Sequence, residues 1–287
     1  MRKYAIVTDS GSDLSLDMIK KLGVVSLPLS VTLEGESEAN DYEITSETFY
    51  SKMRSGKNAK TSAVNYQTFL NCFTRLAEHG YDVLYLGLSS AISSTYSAGR
   101  AAANFLKREI PDKEFLSFDT KCASAGLGLL VYLSAKKRDS GADIYEALSF
   151  AEETAPRICH RFTVDDLSYL KRGGRISTST AFFGNMLGIK PLLYMDSGGF
   201  LKSSERARGR RASLESLAAS FSAFGGEKSN GEIFISHADC LTDAILLDEM
   251  LFSKYGVRAK KFFDIGAVIG AHAGPSTLAL FFIGNTR

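Results

Sequence analysis

The sequence is poor in proline, with five in 287 residues, and its 25 glycines follow no fixed period. With 45% hydrophobic and 23% charged residues, intrinsic disorder, collagen and coiled coil are excluded as overall descriptions. Cysteine is also sparse. Cys72, Cys122, Cys159 and Cys240 lie far apart and form no CxxC pair, so they read as reduced thiols rather than a zinc or redox site. His79, His160 and His237 show no ligand spacing, and no metal is expected. No apolar run reaches the roughly 18 residues of a membrane helix, so no integral membrane segment is expected. Met1-Arg2-Lys3-Tyr4 leads into a strand-like run without the apolar stretch of a signal peptide, which makes the cytoplasm the expected compartment. A P-loop and a dinucleotide-binding glycine motif are both absent.

At about 150 residues per domain, the length suggests two domains. Tyr4 to Thr8, Val24 to Val31, Val83 to Leu88 and Phe115 to Phe118 read as strands. Helices are expected at about 15–22, with Leu16, Ile19 and Leu22 on one face and Gly23 as the stop, and at 95–108, 124–138 and 143–154. Phe49 and Met53 mark a short helix, and Tyr66, Phe69, Leu70 and Phe73 another. This alternation predicts a parallel sheet covered on both faces. From Ile158 the pattern includes a hairpin turning at Asp196-Ser197-Gly198-Gly199, helices at about 209–223 and 241–254, and strands at 232–236, 260–264 and 278–283. The expected fold is thus α/β in two domains. Residues 1–157 form a parallel-sheet α/β/α domain, and 158–287 form an α/β domain with a mixed sheet.

Ligands of open α/β sheets bind beyond the carboxyl ends of the strands. Four polar clusters lie at such places: Thr8 to Asp13, the loop-like Thr61-Ser62-Ala63, Ser89 to Tyr96, and Gly270 to Thr277. Asp9 and Asp13 read as a turn and a cap rather than paired acids. The third cluster places five hydroxyls in seven positions where a helix begins. Its backbone N–H groups and hydroxyls suit an anion without supplying a fixed charge. The same segment, Gly87-Leu88-Ser89-Ser90-Ala91, approaches the nucleophile elbow of α/β-hydrolases, with Ala in the last glycine position. A serine hydrolase of lipid esters using Ser89 or Ser93 with His272 is therefore the alternative function. A sugar or polyol phosphate binder using Gly173-Gly174-Arg175 is a third reading.

Charge is placed unevenly. The net formal charge is only +2, which argues against a general nucleic-acid surface, and no nucleic acid partner is expected. Between Lys171 and Arg211, however, nine basic residues face two acids, leaving +7 there and −5 elsewhere. An acidic protein partner or a phosphorylated ligand fits this stretch.

Several motifs occur together and in order. They are Thr8-Asp9-Ser10, Thr61-Ser62, Ser89-Ser90-Ala91-Ile92-Ser93-Ser94-Thr95-Tyr96, Asp166 to Ile176, Ile189-Lys190-Pro191, and His272-Ala273-Gly274-Pro275. In these the chain resembles the DegV family of bacterial fatty-acid-binding proteins over nearly its whole length. The resemblance implies a long-chain, palmitate-like fatty acid buried between two α/β domains, with no other cofactor and no activity of its own. It implies that Thr61 and Ser93 hold the carboxylate, with Ser62, Ser94, Thr95 and His272 as neighbouring candidates. It also implies, from some members, presentation of the fatty acid to a separate kinase that makes an acyl phosphate. Arg172, Arg175 and Arg206 are the candidate docking residues. The chain departs from the usual pattern at Ser94 and Ser276, where glycine is common, and at Ala63-Val64-Asn65, where Gln-Pro is usual. The chemistry agrees with the resemblance. A neutral hydroxyl cluster suits one carboxylate, and an alkyl chain contributes about 0.8 kcal/mol per buried methylene.

Overall fold

The computed structural model describes residues 3–176, 188–229 and 231–287. A parallel sheet of order β2-β1-β6-β7 is built from β1 (Tyr4–Asp9), β2 (Val25–Leu27), β6 (Asp82–Gly87) and β7 (Phe115–Asp119). β1 and β6 are buried along their whole length. A central parallel strand has helices over both faces, which explains why Ala5-Ile6-Val7 and Val83-Leu84-Tyr85-Leu86 carry no polar alternation. The helices of this half are α1 (Leu16–Leu22), α2 (Ser46–Arg54), α3 (Tyr66–Glu78), α4 (Thr95–Glu109), α5 (Ser124–Asp139) and α6 (Ile144–Thr154).

Two details differ from the sequence expectation. In α1 the buried residues are Met18 and Leu22, while Leu16 is 59% exposed. Ser15 caps the helix through Met18 N–H, which leaves Leu16 in the first turn, outside the core. The run Val24 to Val31 is not one strand. Pro28 has no N–H to give to a ladder, and the chain breaks there into β2 and β3 (Ser30–Leu33). Leu29 N–H donates instead to Ser10 Oγ at 3.0 Å. β3 then joins a separate antiparallel sheet between β4 (Ala39–Asn40) and β5 (Ala59–Ser62). Thr61-Ser62 therefore belongs to a strand, not a loop.

The second half is a mixed sheet of order β10-β9-β8-β13-β11-β12. Its strands are β8 (Ile158–Thr163), β9 (Ile189–Met195), β10 (Leu201–Arg208), β11 (Phe234–His237), β12 (Lys261–Asp264) and β13 (Leu278–Ile283). Helices α7 (Ser168–Arg172), α8 (Arg210–Ala223), α9 (Leu241–Tyr255) and α10 (Ala267–Ala273) accompany them among the described residues. Period-two alternation gives the sheet two apolar faces. Leu278, Leu280 and Phe282 pack with α8 and α9 residues such as Leu217 and Leu247. Ala279 and Phe281 face the other way, into a core that also contains Ile6, Leu84 and Leu127. The first two turns of α5, Ser124 to Val131, are buried on every side, as befits a helix covered all round by protein.

Candidate functional site

In the parallel sheet the chain leaves β1 toward β2 on one side and reaches β6 on the other. The crevice between the ends of β1 and β6 is thus the expected ligand position. Asp9 fills it. Its carboxylate accepts from Gly11 N–H at 3.2 Å, Leu88 N–H at 3.0 Å and Tyr85 OH at 3.0 Å. Complete burial pushes its pKa up to about 6. Asp13 accepts from Ser124 Oγ and, at 3.0 Å, from Gly266 N–H, while Asp41 accepts from Val268 N–H at 3.0 Å. Burial raises both. These acids hold loops and the start of α10, so they act as caps.

The open space lies beyond them, between the sheets. A pocket, about 770 Å³ when its opening to solvent is counted, is walled by apolar side chains, among them Leu29, Leu88, Phe162, Met195, Val268 and Phe281. One group of polar residues in its lining is Thr61, Ser93, His272 and Arg175. β5 brings Thr61 there by alternation: Thr61 faces inward and Ser62 is exposed on the opposite face. Ser93 precedes α4. Its Oγ donates to Thr95 Oγ1 at 2.9 Å and accepts from Thr95 N–H at 3.2 Å. Thr95 is fully buried behind it, and Ser94 is exposed, so neither lines the cavity. The Ser94 side chain consequently does not narrow the space.

His272 comes from α10, in a segment whose glycines suggest a loop. The helix fits because Gly270 packs against Tyr50, where a Cβ would come within 2.2 Å of the phenol oxygen. Gly274 and Pro275 just beyond its end, with His272 in the last turn, are the sequence signals that could have revealed it. His272 Nε2 lies 2.8 Å from Thr61 Oγ1. Burial first, and then Arg175 beside it, lower its pKa to about 4, so the ring is neutral. Nδ1 is buried without a partner against Gly173, where a Cβ would approach within 2.1 Å.

The sequence places Arg175 among the candidate docking residues with Arg172 and Arg206. The structure separates it from them. Arg175 lines the cavity, donating from Nε to Ile92 O at 3.0 Å and from a terminal nitrogen to Gly173 O. Arg172 is exposed, with its guanidinium 5.1 Å from the Tyr169 ring centre, and Arg206 is exposed on β10. The basic run concealed this difference, because charge alone does not tell which side of a chain faces inward. Three other polar lining residues already have protein partners. Ser124 bonds Asp13, Thr277 bonds Ala273 O, and His160 accepts Ala123 N–H at 3.3 Å.

The hydrolase arrangement is not formed. Ser89 Oγ is fully buried and donates to Gly199 O at 3.1 Å, Ser93 Oγ donates to Thr95, and the hydroxyl beside His272 belongs to Thr61. Two departures from the usual motifs have structural counterparts. Asn65 caps α3 by accepting Thr68 N–H at 2.9 Å, and Ser276 has φ of +61°, the left-handed region that favours glycine.

Residues 3–285 match the DegV family, described as uncharacterised proteins. The chain belongs to the DegV family. It is 40% identical to the DegV domain-containing protein CPE0026 of Clostridium perfringens, across 100% of this chain and 99% of that one. A fatty-acid-binding DegV family protein of Thermus thermophilus superposes with a TM-score of 0.86 at 30% identity, covering 99% and 100% of the two chains. A stearic-acid-binding protein of Eubacterium ventriosum gives 0.88 at 25% identity, covering 98% of each. Among the described residues no helix is long and apolar enough to cross a membrane, and no group of three or more His, Cys, Asp or Glu side chains is placed to hold a metal.

Proposed function

We propose that this chain binds a long-chain, palmitate-like fatty acid in the cavity between its sheets. The observation that carries the reading is the distribution of polarity in the lining. The walls are apolar, and Thr61, Ser93, His272 and Arg175 supply polar groups that a carboxylate can use. Arg175 is the one formally charged side chain among the described lining residues. Neutral His272 donates from Nε2 to Thr61 Oγ1, which turns the threonine hydroxyl hydrogen toward the carboxylate. Nδ1 is then the bare nitrogen, since an N–H there would be buried with no acceptor. Ser93 supplies the second hydroxyl by turning its one hydrogen from Thr95 Oγ1 to the ligand. Each such bond to a charged acceptor contributes about 1.5–3 kcal/mol, and each buried methylene about 0.8 kcal/mol, so most of the affinity comes from the chain. The DegV relatives described as fatty-acid-binding support the same ligand class.

The reading extends to presentation of the bound fatty acid to a cytoplasmic kinase, with this chain as a carrier rather than an enzyme. The family resemblance supports that step, as does the basic stretch from Lys171 to Arg211 that begins beside the carboxylate group.

Organic extraction of purified protein followed by mass spectrometry tests the ligand. The expected result is a fatty acid of C14–C18 length. A folded preparation that yields none, and whose melting temperature palmitate does not raise, refutes the proposal.

A further inference from the structure

The register of the mixed sheet turns the cavity floor into a series of rungs. Thr277, at the start of β13, donates its hydroxyl to Ala273 O and Gly274 O, at the end of α10 that carries His272. The carboxylate group is therefore at the N-terminal end of β13. Along β13 the residues facing the cavity are then Ala279 and Phe281. Each step of two residues moves about 6.8 Å away from the carboxylate.

Neighbouring strands continue these rungs. Ala279 is paired with Phe162 on β8, and Phe281 with His160. Side chains at paired positions project from the same face, so each pair forms one bar across the floor. At the first bar the β13 residue is only a methyl group. At the second, two rings meet edge to face, with centroids 5.3 Å apart and planes at 87°.

The second bar cannot readily move aside. His160 Nδ1 is bonded to Ile158 O at 3.0 Å, and its Nε2 accepts Ala123 N–H. Gly126 presses on the ring so closely that a Cβ there would lie 2.2 Å from Nε2. Behind Phe281 the sheet face is filled: its β11 partner Phe234 packs on Phe263 at 5.0 Å and on Tyr132 at 5.6 Å. Phe234 and Phe263 are absent from the cavity lining.

Resting on the fatty-acid reading, we propose that the His160–Phe281 ring pair is the stop that limits chain length. Ala279 is the position whose small side chain keeps the path to that stop open. These residues select ligands by where the chain must end.

Affinity for a graded series of saturated fatty acids tests this. In the wild type it should rise about fourfold per added methylene until the tail meets the rings, and then flatten. Ala279→Leu should move that break to shorter chains, and Phe281→Leu to longer ones. Either variant decides the matter if the other fails to fold, and Ala279→Val gives a milder version of the first. Folded variants that keep the wild-type break overturn the ring stop. A wild type that binds no member of the series instead overturns the fatty-acid reading beneath it.

Discussion

His272 and Thr61 are 211 positions apart in sequence, yet Nε2 and Oγ1 lie 2.8 Å apart across the seam between α10 and β5. With Nε2 carrying the proton, as proposed above, the contact orients the threonine hydroxyl, so the two residues act as a unit. Thr61→Val keeps the shape and removes the hydroxyl. It should weaken palmitate binding by about tenfold or more. His272→Gln should cost less, since its amide can still donate to Thr61. In the double variant the losses should be smaller than their sum, because the histidine acts through the hydroxyl. Calorimetric titration of the four proteins measures this; strictly additive losses would show that the pair is not coupled.

A second prediction follows from the neutrality of His272. Its pKa is lowered to about 4, so between pH 8 and about 5.5 the ring gains no proton. Fatty-acid affinity should stay flat through this range. A step centred near the ordinary histidine value would show that the ring protonates in the bound state.

Asp9 gives a third prediction, on stability. Its pKa is raised from 3.8 to about 6, so the folded state holds this proton more tightly than the unfolded chain. The resulting stabilisation is present below about pH 4 and is lost as pH rises to about 6. It amounts to something on the order of 3 kcal/mol. His160 and His272, both lowered, act in the opposite sense: their stabilisation is present above the ordinary histidine value and lost as pH falls. Asp13 and Asp41, also raised by burial, act in the same sense as Asp9, so the wild-type profile alone mixes several contributions. Asp9→Asn removes only that of Asp9, at the cost of about one hydrogen bond. Subtracting its melting profile from that of the wild type should leave a decline in stability from pH 4 to 6. A flat difference would mean Asp9 is ionised throughout.

These residues differ in how far the sequence revealed them. Buried strands such as β1 and β6, and amphipathic helices such as α3, follow from apolar periodicity, which is local. The inward turn of Thr61 and the outward turn of Ser62 follow from period two as soon as the segment is known to be a strand. Without its partner β3 it reads as a loop. α10 is short and rich in glycine and alanine, and its capping carboxylates Asp13 and Asp41 lie more than 200 positions earlier in the chain. The Thr61–His272 contact and the inward position of Arg175 depend on how the two sheets pack, which no local pattern encodes.

The fourth prediction concerns Gly173. A Cβ here would come within 2.1 Å of His272 Nδ1, and 3.1 Å from two ring carbons. Backbone strain is not the reason, since its φ is −71°. Gly173→Ala should push the ring off Thr61 and reduce palmitate affinity severalfold, with a smaller effect on melting temperature. Gly174→Ala is the control with the opposite cause: its φ is +69° with open space around it, so it should lower stability and leave the affinity of the folded protein intact. Equal effects of the two on binding would remove the contact with His272 as the explanation.

The last prediction separates the arginine in the cavity from the arginine on the surface. Arg175 is held by Ile92 O and Gly173 O and lines the same end of the cavity as Thr61 and His272. Arg172 is exposed over Tyr169. If Arg175 provides the counter-charge of the carboxylate, Arg175→Gln should weaken palmitate binding by tenfold or more, because a charge-assisted bond is lost in a buried setting. The same variant should bind the uncharged alcohol of equal chain length as the wild type does. That comparison excludes a general loosening of the turn, which would weaken both ligands alike. Arg175→Lys should recover part of the loss, since it keeps the charge without the planar fork. Arg172→Glu should leave both ligands unaffected, but slow phosphorylation of the bound fatty acid by a cognate kinase, more so at low salt, where exposed charges reach furthest. Were Arg175→Gln to bind palmitate at the wild-type level while only phosphorylation fell, Arg175 would belong to the docking face and not to the carboxylate site.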